Sequence, residues 1–320
     1  MMIKKLNPDV ITLDINMPRM NGFDFLERLM RLRPTPVVMF ASLGADGPNE
    51  AVRALELGAI DVLAKPCSKT AVRWKDLGTE MIAKVKFASA VKMTTPAGRA
   101  ARLRKLQHTN GVRDSQHRVI AIGASTGGVQ ALHGLIGSIP ADGPAILIAQ
   151  HMPANFTESF ARRLDAHSAM QVAVAKDGDP VAAGKVYLAP GDHHLTVERQ
   201  GKSLVCRVVP RTDACAHAPS VDRLFHSVAA SAGEAAMGII LTGMGSDGTS
   251  GLMHIRQAGG LTITQDRQSA VIYGMPKCAR ESGAAQFEAA LSQFPAIIIS
   301  GSLRKARRIT EPVQKQADRA

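Results

Sequence analysis

The chain has 320 residues, enough for two domains with separate cores, and a composition of 45% hydrophobic but only 4% aromatic residues fits α/β layers better than an all-β fold. Its apolar runs, such as Ala145–Ala149 and Ala296–Ile299, have the length of strands and fall far short of a membrane span, and the first residues lack the apolar core of a signal peptide. The net charge of +12 raises nucleic acid as a partner, but residues 84–118 carry nine Lys or Arg against one acid and residues 303–320 carry six against two, so the remainder is neutral and offers no basic face for nucleic acid. Four cysteines, Cys67, Cys206, Cys215 and Cys278, form no C-x-x-C pair. Neither a disulfide framework nor a zinc knuckle is expected, and a reduced cytoplasmic setting is the simplest.

In residues 1–83, Asp9–Asp14 reads as an apolar strand ending in a carboxylate, Met17–Gly22 as a turn and Phe23–Leu32 as a helix. A strand at Pro36–Ser42, a helix around Glu50–Leu57 and a short strand at Ile60–Pro66 follow. Asp14, Ser42 and Lys65 each fall at the C-terminal end of a strand, where open α/β sheets place their ligands. A carboxylate, a hydroxyl and an ammonium gathered there suit capture of a phosphoryl group.

The run Leu13-Asp-Ile-Asn-Met-Pro-Arg-Met-Asn-Gly22 and the triplet Ala64-Lys65-Pro66 resemble the phosphoacceptor loop and the lysine motif of response-regulator receiver domains, whose fold is flavodoxin-like. The resemblance implies phosphorylation of Asp14 by a chemotaxis histidine kinase, with Ser42 as switch hydroxyl, Lys65 as phosphate partner and Mg²⁺ as cofactor. A receiver also carries, before its phosphoacceptor strand, about 40 residues that supply the first strand and the acidic pair for Mg²⁺. Here eight residues precede that strand. Residues 1–83 are therefore expected to form a truncated receiver with an unpaired sheet edge, without the acidic pair, and phosphorylated poorly. Residues 84–118 mix Ala, Thr, Pro and Gly with scattered Lys and Arg and read as a flexible basic linker, docking to an acidic partner being the other reading.

Strands and helices alternate again over 119–303, which predicts a doubly wound, mostly parallel α/β sheet. The strand Val119–Ala124 runs into Gly123-Ala-Ser125-Thr-Gly127, followed by a helix. Taken alone this turn is either a G-x-S-x-G nucleophile elbow or a cradle for a phosphate. The strand Ala145–Ala149 ends at Gln150-His151, and Met237–Thr242 leads into Gly243-Met-Gly-Ser-Asp247-Gly248. A parallel sheet would gather Ser125, His151 and Asp247 at one edge as a hydrolytic triad. Each has an ordinary alternative: Ser125 and Asp247 as helix caps, His151 as a surface or capping histidine. A dinucleotide site fits worse, since it wants glycine at Ser125 and an acid, not Gln150-His151, after the second strand. His193-His194 and Cys215-Ala-His217 are the remaining metal-ligand candidates, but adjacent strand residues rarely share one ion, and no metal is expected.

Ile122–Gly128, Gln150–Pro153, Ala189–Gly191, Pro219–Asp222, Leu241–Gly248, Gln265-Asp266 and Ser269–Pro276 together resemble the chemotaxis-type protein-glutamate methylesterases, as does the order receiver, linker, esterase. The resemblance implies hydrolysis of glutamate γ-methyl esters on methylated chemoreceptor cytoplasmic helices, with release of methanol, and deamidation of particular receptor glutamines. Ser125 is then the nucleophile, His151 the base and Asp247 its partner. The N–H groups of Thr126 and Met244 form the oxyanion hole, and no cofactor is needed. It also implies that the unphosphorylated receiver restrains the esterase. A non-catalytic adaptor that keeps the esterase fold is the alternative. Residues 304–320 read as a basic tail.

Overall fold

The computed structural model describes residues 2–41, 47–65, 74–89, 91, 93, 119–211, 217–301, 303 and 306–309. The chain divides into two compact units, 1–105 and 106–320.

The first unit runs α1 (Met2–Leu6), β1 (Ile11–Asp14), α2 (Gly22–Leu32), β2 (Val37–Ala41), α3 (Gly47–Glu56), β3 (Asp61–Ala64) and α4 (Trp74–Ser89). Its strands form a parallel sheet in the order β1-β2-β3, with Ile11 opposite Val37 and Val38 opposite Asp61. Val37, Val38 and Met39 of the middle strand are fully buried, as a strand covered on both faces requires. Helix α2 starts where the Asn21 side chain accepts the Phe23 N–H at 2.9 Å. Phe23, Leu26, Leu29 and Met30 then recur at helical spacing and form its buried stripe. Strand β1 pairs on one side only among the described residues, so the sheet ends at the strand that carries Asp14.

The basic linker expected over 84–118 begins inside a helix, and apart from residues 91 and 93 its remainder beyond residue 89 lies outside the described residues. Helix α4 crosses the expected boundary at residue 84 and continues to Ser89. Lys84 anchors it, with Nζ 2.9 Å from Asp61 Oδ1 and 2.8 Å from the Val62 carbonyl, and Ala88 is buried. Charge counting misses this because a lysine paired to a strand end reads in sequence like a solvated one.

The second unit runs β4 (Val119–Ala124), α5 (Gly128–Ile136), β5 (Ala145–Gln150), α6 (Ala154–His167), β6 (Gln171–Val174), β7 (Lys185–Leu188), β8 (His193–Gln200), β9 (Ser203–Pro210), α7 (Val221–Ala232), β10 (Ala236–Ile240), α8 (Thr249–Gln257), β11 (Leu261–Gln265), α9 (Met275–Glu281), β12 (Phe287–Ala289), α10 (Phe294–Ser300) and β13 (Arg307–Arg308). Eight strands form one sheet in the order β13-β12-β11-β10-β4-β5-β7-β6, parallel except for β12–β13, and β8–β9 is a separate antiparallel hairpin. β4 lies between β10 and β5, and all six of its residues are buried. Val119 and Ala121 face a core shared with Leu147, Ala149 and the helical residues Val221, Leu224, Phe225 and Val228. Burying each large apolar side chain there contributes about 1.5–3 kcal/mol, which fixes the register that aligns the strand ends.

The expected tail changes in part, and one apolar run is helical. Arg307 and Arg308, expected in a basic tail, pair with Glu288 and Phe287 as an antiparallel edge strand, and the Ile309 N–H donates to the Gln286 carbonyl at 2.9 Å. Backbone pairing holds this segment while both arginine side chains remain exposed. The strand-length run Ala296–Ile299 lies in helix α10, because Pro295 starts a helical turn and Gly301, at φ 64°, ends it.

Candidate active site

The three residues expected to act together come together, and the sheet register explains why. Ala124 lies opposite Gln150 in the β4–β5 pair, so Ser125 and His151 are the first residues beyond two neighbouring strand ends. The His151 N–H donates to the Ala124 carbonyl at 3.0 Å. On the other side of β4, the Ser125 N–H donates to the Thr242 carbonyl at 3.0 Å. The loop after β10 then brings Asp247 back over the sheet edge, where its Oδ2 lies 2.7 Å from His151 Nε2. Among the described residues no hydrogen bond joins Ser125 Oγ to His151, a gap common before a substrate tightens such sites.

Two glycines make this approach possible. Gly127 sits at φ 80°, a left-handed conformation that turns the chain from strand into helix α5 beside the serine. A side chain at Gly243 would come within 2.7 Å of Ser125 Cβ, so only glycine lets the β10 loop pass against the serine. Gly243 also places Met244, one of the two expected oxyanion donors, directly after the residue that touches Ser125. The Met244 side chain is exposed, and the other donor residue, Thr126, has its carbonyl held by Thr242 Oγ1 at 3.0 Å.

None of the three residues caps its own helix. Helix α5 is capped by Gly127, α6 by Pro153 and α8 by Gly248, without side-chain cap bonds. Asp247 instead receives the first N–H groups of a different helix, α7: Val221 N at 2.8 Å on Oδ2 and Asp222 N at 3.0 Å on Oδ1. Ser220 Oγ adds a third donor at 3.1 Å. Burial on its own pushes the Asp247 carboxyl up, but the hydrogen bonds from His151 and from the Asp222 and Val221 N–H groups outweigh it and hold the group well below the usual carboxylate range.

Several positioning residues went unassigned in the sequence. Gln150 is buried, and its Nε2 donates to the Ser125 carbonyl at 2.9 Å and the His151 carbonyl at 3.0 Å, clamping two of the three candidate residues together. Asp222 returns the favour that its N–H does for Asp247: its Oδ1 accepts the Gly251 N–H of α8 at 2.7 Å, so each aspartate caps the other's helix. A polar residue closing an apolar strand run is the signal that could have found Gln150. The metal candidates separate: His194 is fully buried with Nδ1 accepting the Ser220 N–H, and His193 is half-buried with Nδ1 at the Gly191 carbonyl. Among the described residues no group of three His, Cys, Asp or Glu is placed to hold a metal ion, and Cys215 lies outside them.

The family model for the CheB methylesterase matches residues 120–298, more than half of the chain. The chain belongs to the CheB methylesterase family. The model for the response regulator receiver domain matches residues 1–74. A protein-glutamate methylesterase/protein-glutamine glutaminase of Chromohalobacter salexigens is 48% identical over 299 residues, covering 93% of this chain and 84% of that protein. One from Caulobacter vibrioides is 47% identical over 308 residues, covering 96% of this chain and 88% of its own. Among solved structures, the Thermotoga maritima CheB methylesterase catalytic domain is 35% identical with a TM-score of 0.56, covering 57% of this chain and 97% of that domain.

In the receiver unit of this CheB-family chain, the predicted ends of β1 and β3 do meet. Lys65 Nζ is hydrogen-bonded to Asp14 Oδ2, and Asp14 Oδ1 accepts the Asn16 N–H at 3.2 Å. Ser42 lies outside the described residues. Among the described residues no group of three His, Cys, Asp or Glu side chains gathers at Asp14 for Mg²⁺, which needs several oxygens to offset its dehydration. Incubated with radiolabelled acetyl phosphate and Mg²⁺, Asp14 should therefore be labelled far below stoichiometry. Stoichiometric label, lost in Asp14→Asn, would overturn this.

Proposed function

We propose that Ser125, His151 and Asp247 hydrolyse glutamate γ-methyl esters, and deamidate particular glutamines, on the cytoplasmic helices of chemoreceptors. The observation that carries this reading is the 2.7 Å contact between His151 Nε2 and an ionised, half-buried Asp247, with Ser125 on the adjoining strand end. With Nε2–H committed to the carboxylate, Nδ1 is the nitrogen left to take the proton of Ser125.

The serine oxygen attacks the ester or amide carbonyl as His151 takes its proton, and the ring becomes an imidazolium facing Asp247. Negative charge moves to the carbonyl oxygen, where the N–H groups of Thr126 and Met244 receive it. His151 returns the proton to the departing methanol or ammonia, leaving an acyl-serine. Water, deprotonated by His151, repeats the cycle and releases the glutamate carboxylate and free Ser125. This chemistry uses protein groups alone and asks for no cofactor. The protein would act in the cytoplasm, and a chemotaxis histidine kinase would be the partner of a receiver competent to accept phosphate. No described helix is long and apolar enough to cross a membrane, which fits recognition of the soluble part of a receptor.

A fluorophosphonate probe tests the site, since it reacts with serines activated by a base. We expect one label per chain, on Ser125, abolished in Ser125→Ala. An unlabelled wild-type protein would favour the non-catalytic adaptor.

A further inference from the structure

His217, outside the triad, lies with its ring stacked on His151, centroids 4.5 Å apart and planes 19° apart. Near-parallel rings at this separation restrict the tilt of the imidazole about its own bonds, the motion that a base flanked on one edge by a carboxylate still retains. His217 belongs to the segment that also orders Asp247. Ser220, three residues on, donates its hydroxyl to Asp247 and its N–H to buried His194, and Val221 and Asp222 add their N–H groups to Asp247. One stretch, 217–222, therefore sets both members of the His151–Asp247 pair, the carboxylate by hydrogen bonds and the ring by stacking.

We propose that His217 is a positioning residue for the esterase reaction: as a neutral ring it holds the plane of His151, and once protonated it opposes the imidazolium that His151 must become. The proposal rests on the reading of His151 as the base. His217 is exposed on one side and packs against His151 on the other. The groups facing it are His151 after β5, Asp247 in the β10–α8 loop and Arg211 at the end of β9. Burial against the site, then the His151 ring and Arg211, push its proton affinity down, while Asp247 pulls the other way. His217 is thus neutral at neutral pH and gains its proton below the ordinary histidine range.

A base in contact with a second ring that can gain a proton gives a different pH profile from a base alone. In full-length protein acting on a methyl-esterified receptor-helix peptide, the acid limb of kcat/KM should steepen from one proton toward about two as pH falls. His217→Phe, which keeps a flat ring but cannot titrate, should hold the neutral-pH rate within about threefold and show a one-proton limb. His217→Ala, which leaves His151 unsupported, should lose about tenfold in kcat with little change in KM. An acid limb equally steep in wild type and His217→Phe, or an unchanged rate in His217→Ala, overturns the proposal. So does a His217→Phe rate as low as that of His217→Ala. His151→Ala separates this from failure of the underlying reading: if that variant stays active, His151 is not the base, whatever His217 does.

Discussion

Replacing Ser125 by alanine is expected to lower kcat for methanol release by on the order of 10⁶, as loss of a triad nucleophile does. That corresponds to about 8 kcal/mol of barrier, far beyond any effect of a lost surface hydroxyl. The protein itself should hardly notice. Among the described residues, every hydrogen bond that orders residue 125 runs through its backbone: its N–H to Thr242, its carbonyl to Gln150 and to the Gly128 N–H at 2.7 Å. Alanine keeps all of them, and helix α5 loses no cap because Gly127 holds that position. The variant should therefore match wild type in thermal midpoint and in KM while retaining a small rate from the oxyanion donors and substrate positioning. Residual kcat within tenfold of wild type would refute Ser125 as nucleophile.

The sheet and the meeting of the three residues were legible because they rest on local signals. A strand buried on both faces is a short continuous apolar run, as in Val119–Ala124 and Ala145–Gln150, and a polar residue that ends such a run must lie at the sheet edge. What lies beyond the edge was not legible. Nothing in the residues around Asp247 announces that its oxygens are met by N–H groups of Val221 and Asp222, because that pairing joins segments 25 and 26 residues apart. The local pattern, an aspartate before Gly248-Thr-Ser, pointed to the wrong helix. The same limit hid the stacking of His217 on His151, the anchoring of α4 by Lys84 and the pairing of Arg307–Arg308 on β12. In each case the deciding partner is supplied by tertiary structure, and the charge or ring looks solvated in sequence. Ala296–Ile299 shows the converse: four apolar residues fit either period, and the flanking Pro295 and Gly301 decide for helix.

Asp247→Asn separates the catalytic role of this carboxylate from its structural one. In wild type, Oδ2 accepts both the Val221 N–H and the Nε2–H of His151, while Oδ1 accepts from Ser220 and Asp222. The amide can keep one oxygen among these donors, but its NH₂ must replace the other. If that NH₂ faces His151 it donates to Nε2, which moves the ring proton to Nδ1, the nitrogen that should receive the proton of Ser125. The base is then in the wrong tautomer, and kcat should fall by roughly 10⁴. Stability should fall by only about 1–3 kcal/mol, the cost of facing a buried donor with another donor. The two effects also differ in pH dependence. Because the folded Asp247 carboxyl is held below its ordinary range, the stability that it contributes is present above the unfolded carboxylate pKa of about 3.9 and is lost as pH falls through the lower folded value. The gap in denaturation midpoint between wild type and Asp247→Asn should accordingly be constant from neutral pH to about pH 5 and close in more acid solution. The rate deficit, measured on folded protein at neutral pH, is set by the tautomer and should remain near 10⁴ even where stabilising salt restores the midpoint. A variant with the lowered midpoint but a normal rate would make Asp247 a helix cap and nothing more.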